Sequence, residues 1–158
     1  MARNHSLTRE QSIQTLFLQR KESYSLAEAA RIIGTSPGTL RREAEWDDRE
    51  AYRVDGKWRF TWRQLAYIAM RRWSLAEIHD ALKSEAANVL PPLLSMRTVT
   101  VRLPEYLLRA VETVAAKEGA TVDAWLHGEL TDFAATVAPQ MERVIPGFRR
   151  AYQFPGRE

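Results

Sequence analysis

Apolar positions recur at helical spacing along most of the chain, and two short stretches break to a period of two. After Thr8, the residues Ile13, Leu16, Phe17 and Arg20 share one stripe, and Thr8 with Gln11 has capping-box spacing. This predicts an amphipathic helix packing on its own domain, with a partner-binding arm as the alternative. Ser25 and Glu28 repeat the capping signal, and Leu26, Ala29, Ala30 and Ile33 make one apolar face that ends at Gly34. A second helix starts at Ser36 with Pro37 in its first position and buries Leu40 and Ala44. In AYRVDGKWRF, residues 51–60, large residues alternate around Asp55-Gly56, which predicts a β-hairpin with Val54, Trp58 or Phe60 inward. Thr61 and Ser74 then cap two helices with inner faces Leu65, Ile68, Ala69 and Leu75, Ile78, Leu82.

Pro91-Pro92 stops the helical pattern and marks a link. Beyond it the period changes. Val99, Val101 and Leu103 alternate with Thr98, Thr100 and Arg102, which predicts a strand with one buried face. Pro104 opens a helix with Leu107, Leu108, Val111, Val114 and Ala115 on one side. Gly119 ends it, and Thr121 caps another with Val122, Trp125, Leu126, Leu130 and Phe133 inward. The tail from 137 mixes arginines, prolines and aromatics, and no regular structure is expected in its last turns. Its Phe148, Tyr152 and Phe154 suit fold-back, docking on a partner protein, or stacking on nucleic acid. The expected organisation is an N-terminal helical arm 1–23, a first domain 24–90, a linker 91–96, a second domain 97–136 and a tail 137–158.

Charge adds direction. The chain carries a net +3, and residues 24–83 hold 11 basic against 9 acidic side chains, whereas 96–136 hold 4 against 6. The first region therefore suits an anionic partner and the second does not obviously do so. With no cysteine, disulfides and zinc–cysteine sites are ruled out. His5, His79 and His127 are scattered, and no nucleophile–base pair, Gly-rich phosphate loop or carboxylate pair stands at informative spacing. The expectation is a non-enzyme with no cofactor and no metal. MARNHSLTRE lacks the apolar core of a signal peptide and no apolar run reaches membrane-spanning length, so a cytoplasmic, nucleoid-associated protein with no membrane partner is expected.

Two short helices joined by a glycine-containing turn form a helix-turn-helix, whose second helix enters the DNA major groove. Here that helix offers Ser36, Thr39, Arg41 and Arg42, and the hairpin behind it would act as a wing with Arg53, Lys57 and Arg59 toward phosphate. SLAEAARIIGTSPGTLRR with AYRVDGKWRF resembles the excisionase version of the MerR and excisionase class of winged helix-turn-helix domains, and RRWSLAEIHDAL resembles the MerR helix pair after the wing. Two features depart from that class. Arg42-Glu43-Ala44 replaces its usual aromatic and acidic residues, and no long coiled-coil helix follows.

One strand and two helices in about forty residues cannot close a core alone, so the second region is expected to dimerise by pairing strands. RTVTVRLPEYLLRAVETVAAKEGATVDAWLHGEL resembles the ribbon-helix-helix family, in which a two-stranded ribbon lies in the major groove. The resemblance implies that Thr98, Thr100 and Arg102 face bases, with Arg97 as a further ribbon cation; the acidic balance of the region leaves dimerisation without DNA contact as the other reading. It also implies that the helix start at Thr121 and Val122 holds a phosphate. The fold class expected is mostly α with small β elements: a MerR-like winged helix-turn-helix plus a ribbon-helix-helix dimerisation module. The function expected is a homodimeric, sequence-specific regulator of transcription, a repressor, on double-stranded DNA. Alternative readings are a recombination or plasmid-partition accessory factor, and an antitoxin whose tail binds a toxin.

Overall fold

The computed structural model describes residues 6–46 and 51–156; His5 lies outside them. The fold is mostly helical with one three-stranded antiparallel sheet, and the chain divides into two compact units, 1–96 with 154–158, and 97–153. No described helix is long and apolar enough to cross a membrane.

In the first unit, helix α1 (Arg9–Leu18) begins at a full capping box between Thr8 and Gln11 and buries Ile13, Leu16 and Phe17. It is not a free arm, since its apolar stripe is part of the unit's core. Strand β1 is only Tyr24–Ser25, and Ser25 then caps α2 (Leu26–Ile33), again in a capping box with Glu28. Helix α2 closes on Gly34, whose φ of +74° lies in the left-handed region that glycine adopts without a Cβ clash. Besides the anticipated Ala29, Ala30 and Ile33, α2 buries Ile32. Helix α3 (Pro37–Trp46) buries Leu40 and Ala44.

The hairpin consists of β2 (Tyr52–Val54) and β3 (Lys57–Phe60). Asp55 and Gly56 both have positive φ, 50° and 72°, the two-residue turn whose twist matches paired strands. A lone hairpin is marginal in water, and here β3 is the middle strand. It pairs with β2 on one side and with β1 on the other, where Tyr24 faces Phe60 and Ser25 faces Arg59. Tyr24 and Phe60 are both buried and tie the sheet to the helical core. Of Val54, Trp58 and Phe60, the inward residue is Phe60, which is fully buried; Trp58 is half-buried, and Val54, beside the turn, is 47% exposed.

Helices α4 (Trp62–Met70) and α5 (Leu75–Leu82) start at capping boxes Thr61/Gln64 and Ser74/Glu77. They bring Leu65, Ala66, Ile68 and Ala69, then Ile78, Ala81 and Leu82, to the same core. Helix α5 packs along α1, and the short α6 (Ala86–Val89) follows before the prolines.

The second unit contains α7 (Glu105–Lys117), α8 (Val122–Val144) and α9 (Phe148–Tyr152). Two expectations are corrected here. Helix α8 continues through Pro139 to Val144, and α9 gives regular structure to the tail, where none was expected in the last turns. Both Pro139 and Ala135 are exposed, so water can serve the Ala135 carbonyl that proline leaves without a helix donor. The second correction concerns Thr98, Val99, Thr100, Val101, Arg102 and Leu103, which form no strand in the single chain and are all exposed. A strand needs a ladder partner for its N–H and C=O groups, and none of the described residues pairs with this segment. The apolar faces anticipated as inward are at most partly covered, with Val111, Val122, Trp125 and Leu126 half-buried. Leu107, Leu108, Val114, Leu130 and Phe133 are exposed, and Ala115 is the single buried residue of the unit.

Candidate nucleic-acid interface

Helix α3 and the hairpin converge beside the start of α2. At the head of α3, the Ser36 hydroxyl accepts from the Thr39 backbone N–H at 3.0 Å and lies 2.8 Å from the Thr39 hydroxyl. Both side chains thus fix the helix start while remaining at the surface. Two residues after Thr39, Arg41 projects from α3, and its Nε donates to Glu45 at 2.9 Å, one turn further along. The Arg53 guanidinium of β2 lies 4.0 Å from the same Glu45 and 4.3 Å from the centre of the Trp58 ring, a cation–π seat within the hairpin.

Of these side chains, Arg41, Arg53 and Trp58 line a depression of about 400 Å³. Arg41 enters it from α3, and Arg53, Lys57 and Arg59 enter it from the hairpin; Leu26 and Ala27, in the first turn of α2, complete its wall. The first N–H groups of a helix have no acceptor within it and carry the positive end of its dipole. Four cations and a helix start therefore surround a space beside Glu45, which pairs with Arg41 and lies 4.0 Å from Arg53.

The remaining charges of this surface are distributed differently. Arg42 is exposed on α3 but does not line the depression. Glu43, next to it, is bonded to Arg72 at the end of α4. The α2 cap is itself charged, because Glu28 accepts from the Ser25 N–H and pairs with Lys21. The hydrogen bond from Lys21 holds the Glu28 carboxyl below the usual carboxylate range.

Of the twelve positions expected to meet DNA, Arg41, Arg53, Lys57 and Arg59 line the depression, with Thr39 and Arg42 on the same helix as Arg41 and Ser36 just before it. The other five lie in the second unit. Arg97, Thr98, Thr100 and Arg102 are exposed in the segment without secondary structure, and Thr121 caps α8 by accepting from the Ala124 N–H at 3.2 Å. Sequence reasoning missed Glu45 and the Trp58 seat. The i,i+4 spacing of Arg41 and Glu45 was a readable signal for the first; the Arg53–Trp58 contact depends on the hairpin register, in which the two are direct partners.

Compared with protein-family models, curated proteins and solved structures, the chain matches none. The chemistry of its own surface carries the functional reading.

Proposed function

We propose that this chain is a homodimeric, sequence-specific DNA-binding protein that regulates transcription, as a repressor in the simplest case. The observation that carries the reading is the convergence of Arg41 with Arg53, Lys57 and Arg59 on one depression. In this reading α2 and α3 are a helix-turn-helix, with α3 laid in the major groove. The hairpin is its wing. Arginine suits base edges through its two-pronged donor geometry, and the hairpin cations suit flanking phosphate.

Dimerisation rests on separate support. A unit with one buried side chain, whose exposed valines alternate along an unpaired segment, has too little internal burial to be stable by itself. Pairing Thr98–Leu103 with the same segment of a second copy would supply the missing ladder and cover Val99, Val101 and Leu103. That is the ribbon-helix-helix arrangement. Two heads joined in this way gain affinity, because the second contact becomes intramolecular.

Footprinting the full chain on genomic fragments tests the proposal. Protected patches in symmetric pairs support it, and a further central patch assigns the ribbon a reading role. Absence of protection at low salt, where phosphate contacts are strongest, overturns it.

A further inference from the structure

The first unit carries an aromatic nest that the DNA reading does not use. Phe17 of α1 is buried, and its ring meets Trp62 of α4 edge-on, with centroids 5.9 Å apart at 85°. The Trp62 indole N–H is fixed by donating to the Leu16 carbonyl at 2.8 Å. One face of its ring is covered by the Arg20 guanidinium at 3.6 Å, and Arg20 also donates to the Val89 carbonyl at 3.3 Å. The nest is therefore positioned by α1, α4 and α6, whatever occupies it.

Its occupant comes from the far end of the chain. Phe154 stacks on Phe17 at 6.5 Å and 21°, and meets Trp62 at 6.1 Å and 65°. It belongs to the first unit although the whole of 97–153 intervenes. Phe154 and Pro155 are only half-buried, unlike the core residues beneath them.

We infer that the nest of Phe17, Arg20 and Trp62 is a peptide-docking site, filled reversibly by the chain's own Phe154-Pro155. Three features define its ligand as a short aromatic–proline peptide. The nest presents ring faces and edges to one aromatic side chain. The adjoining Pro155 is itself half-buried, and ordering it costs little entropy, since its φ is already restricted. The half-exposed position leaves the segment a route out. Partial burial of one ring with two aromatic contacts favours docking by roughly ten- to a hundred-fold. With a tethered effective concentration in the millimolar range, a free peptide should bind the vacated nest at about 10–100 μM.

The test uses the full-length chain with Phe154→Ala and the peptide QFPGRE, the sequence of residues 153–158. The readout is the NMR resonance of the Trp62 indole N–H, assigned by its loss in Trp62→Phe. A saturable shift near the stated concentration, absent for the peptide with alanine in place of phenylalanine and absent in wild type at the same concentration, supports the inference. No shift up to about 1 mM in the folded variant overturns it. An equal response in wild type also overturns it, because the nest would then be unfilled by its own tail. Loss of fold on Phe154→Ala does so too, by making the ring part of the core rather than a ligand. None of these outcomes bears on DNA binding.

Discussion

Replacing Glu45 with glutamine should tighten DNA binding. In the free protein this carboxylate accepts from Arg41 at 2.9 Å and stands 4.0 Å from Arg53, so it partly neutralises two of the four cations around the depression. A phosphate seated on the Arg53 guanidinium would lie about 7 Å from Glu45, and like charges at that separation repel by about 0.6 kcal/mol in bulk water and about 2 kcal/mol at a protein surface. The Arg41–Glu45 pair is exposed, its side chains 59% and 40% accessible, so breaking it costs only about 0.2–1 kcal/mol. Together these terms give Glu45→Gln a gain of about 1–2 kcal/mol, roughly five- to thirty-fold in affinity. Fluorescence anisotropy on a mixed-sequence duplex at low salt measures it, and the gain should shrink as salt screens the repulsion. The fold should barely respond, since an exposed i,i+4 pair contributes about 0.3–0.5 kcal/mol. Unchanged affinity would refute the claim that phosphate occupies this depression. Weaker binding with altered base preference would instead make Glu45 an acceptor for a cytosine amino group.

Three further outcomes are expected. Arg41→Ala should cost about 1–3 kcal/mol and relax sequence preference, whereas Lys57→Ala should weaken all duplexes alike and lower the salt slope by about 0.9; identical effects of the two would remove the distinction between reading helix and wing. Val99→Asp with Val101→Asp places charge on the exposed alternating face and should halve the mass measured by light scattering, while an unchanged mass would place the dimer contact elsewhere. Acid should destabilise the first unit through two cap carboxylates. Glu28 is held low first by the Lys21 hydrogen bond, and Glu77 first by the backbone N–H of Ser74, with Arg9 adding to it. Because both folded values lie below the unfolded value of about 4.3, their contribution is complete above that pH and disappears as pH falls through the folded values. The melting temperature should therefore fall on acidification below about pH 4.5, and Glu28→Gln with Glu77→Gln should flatten that limb; an unaltered limb refutes the assignment.

Sequence by itself determined those features whose causes lie within a few residues. Each of the capping boxes at Thr8, Ser25, Thr61 and Ser74 needs an acceptor and a partner three positions on, and all four form as read. The Asp55-Gly56 turn and the Gly34 helix end are equally local, since each is fixed by which residues tolerate positive φ. The apolar faces of α1 to α5 were legible because helical periodicity alone sorts them. Within the site, the four cations could be named from their elements, but their convergence could not. It requires β3 to sit between β1 and β2, a pairing that spans from Tyr24 to Phe60 and that a two-residue strand gives almost no sign of. The same holds for Arg20, read as the edge of a stripe and found on the ring of Trp62, and for Phe154, which reaches Phe17 only because the chain returns. Helix α8 shows the limit from the other side. Proline is a strong local stop, yet Pro139 is passed, because an exposed carbonyl can turn to water. The segment 98–103 had a strand's pattern and no strand, since pattern sets which face would be buried while a ladder needs a pairing partner that none of the described residues supplies.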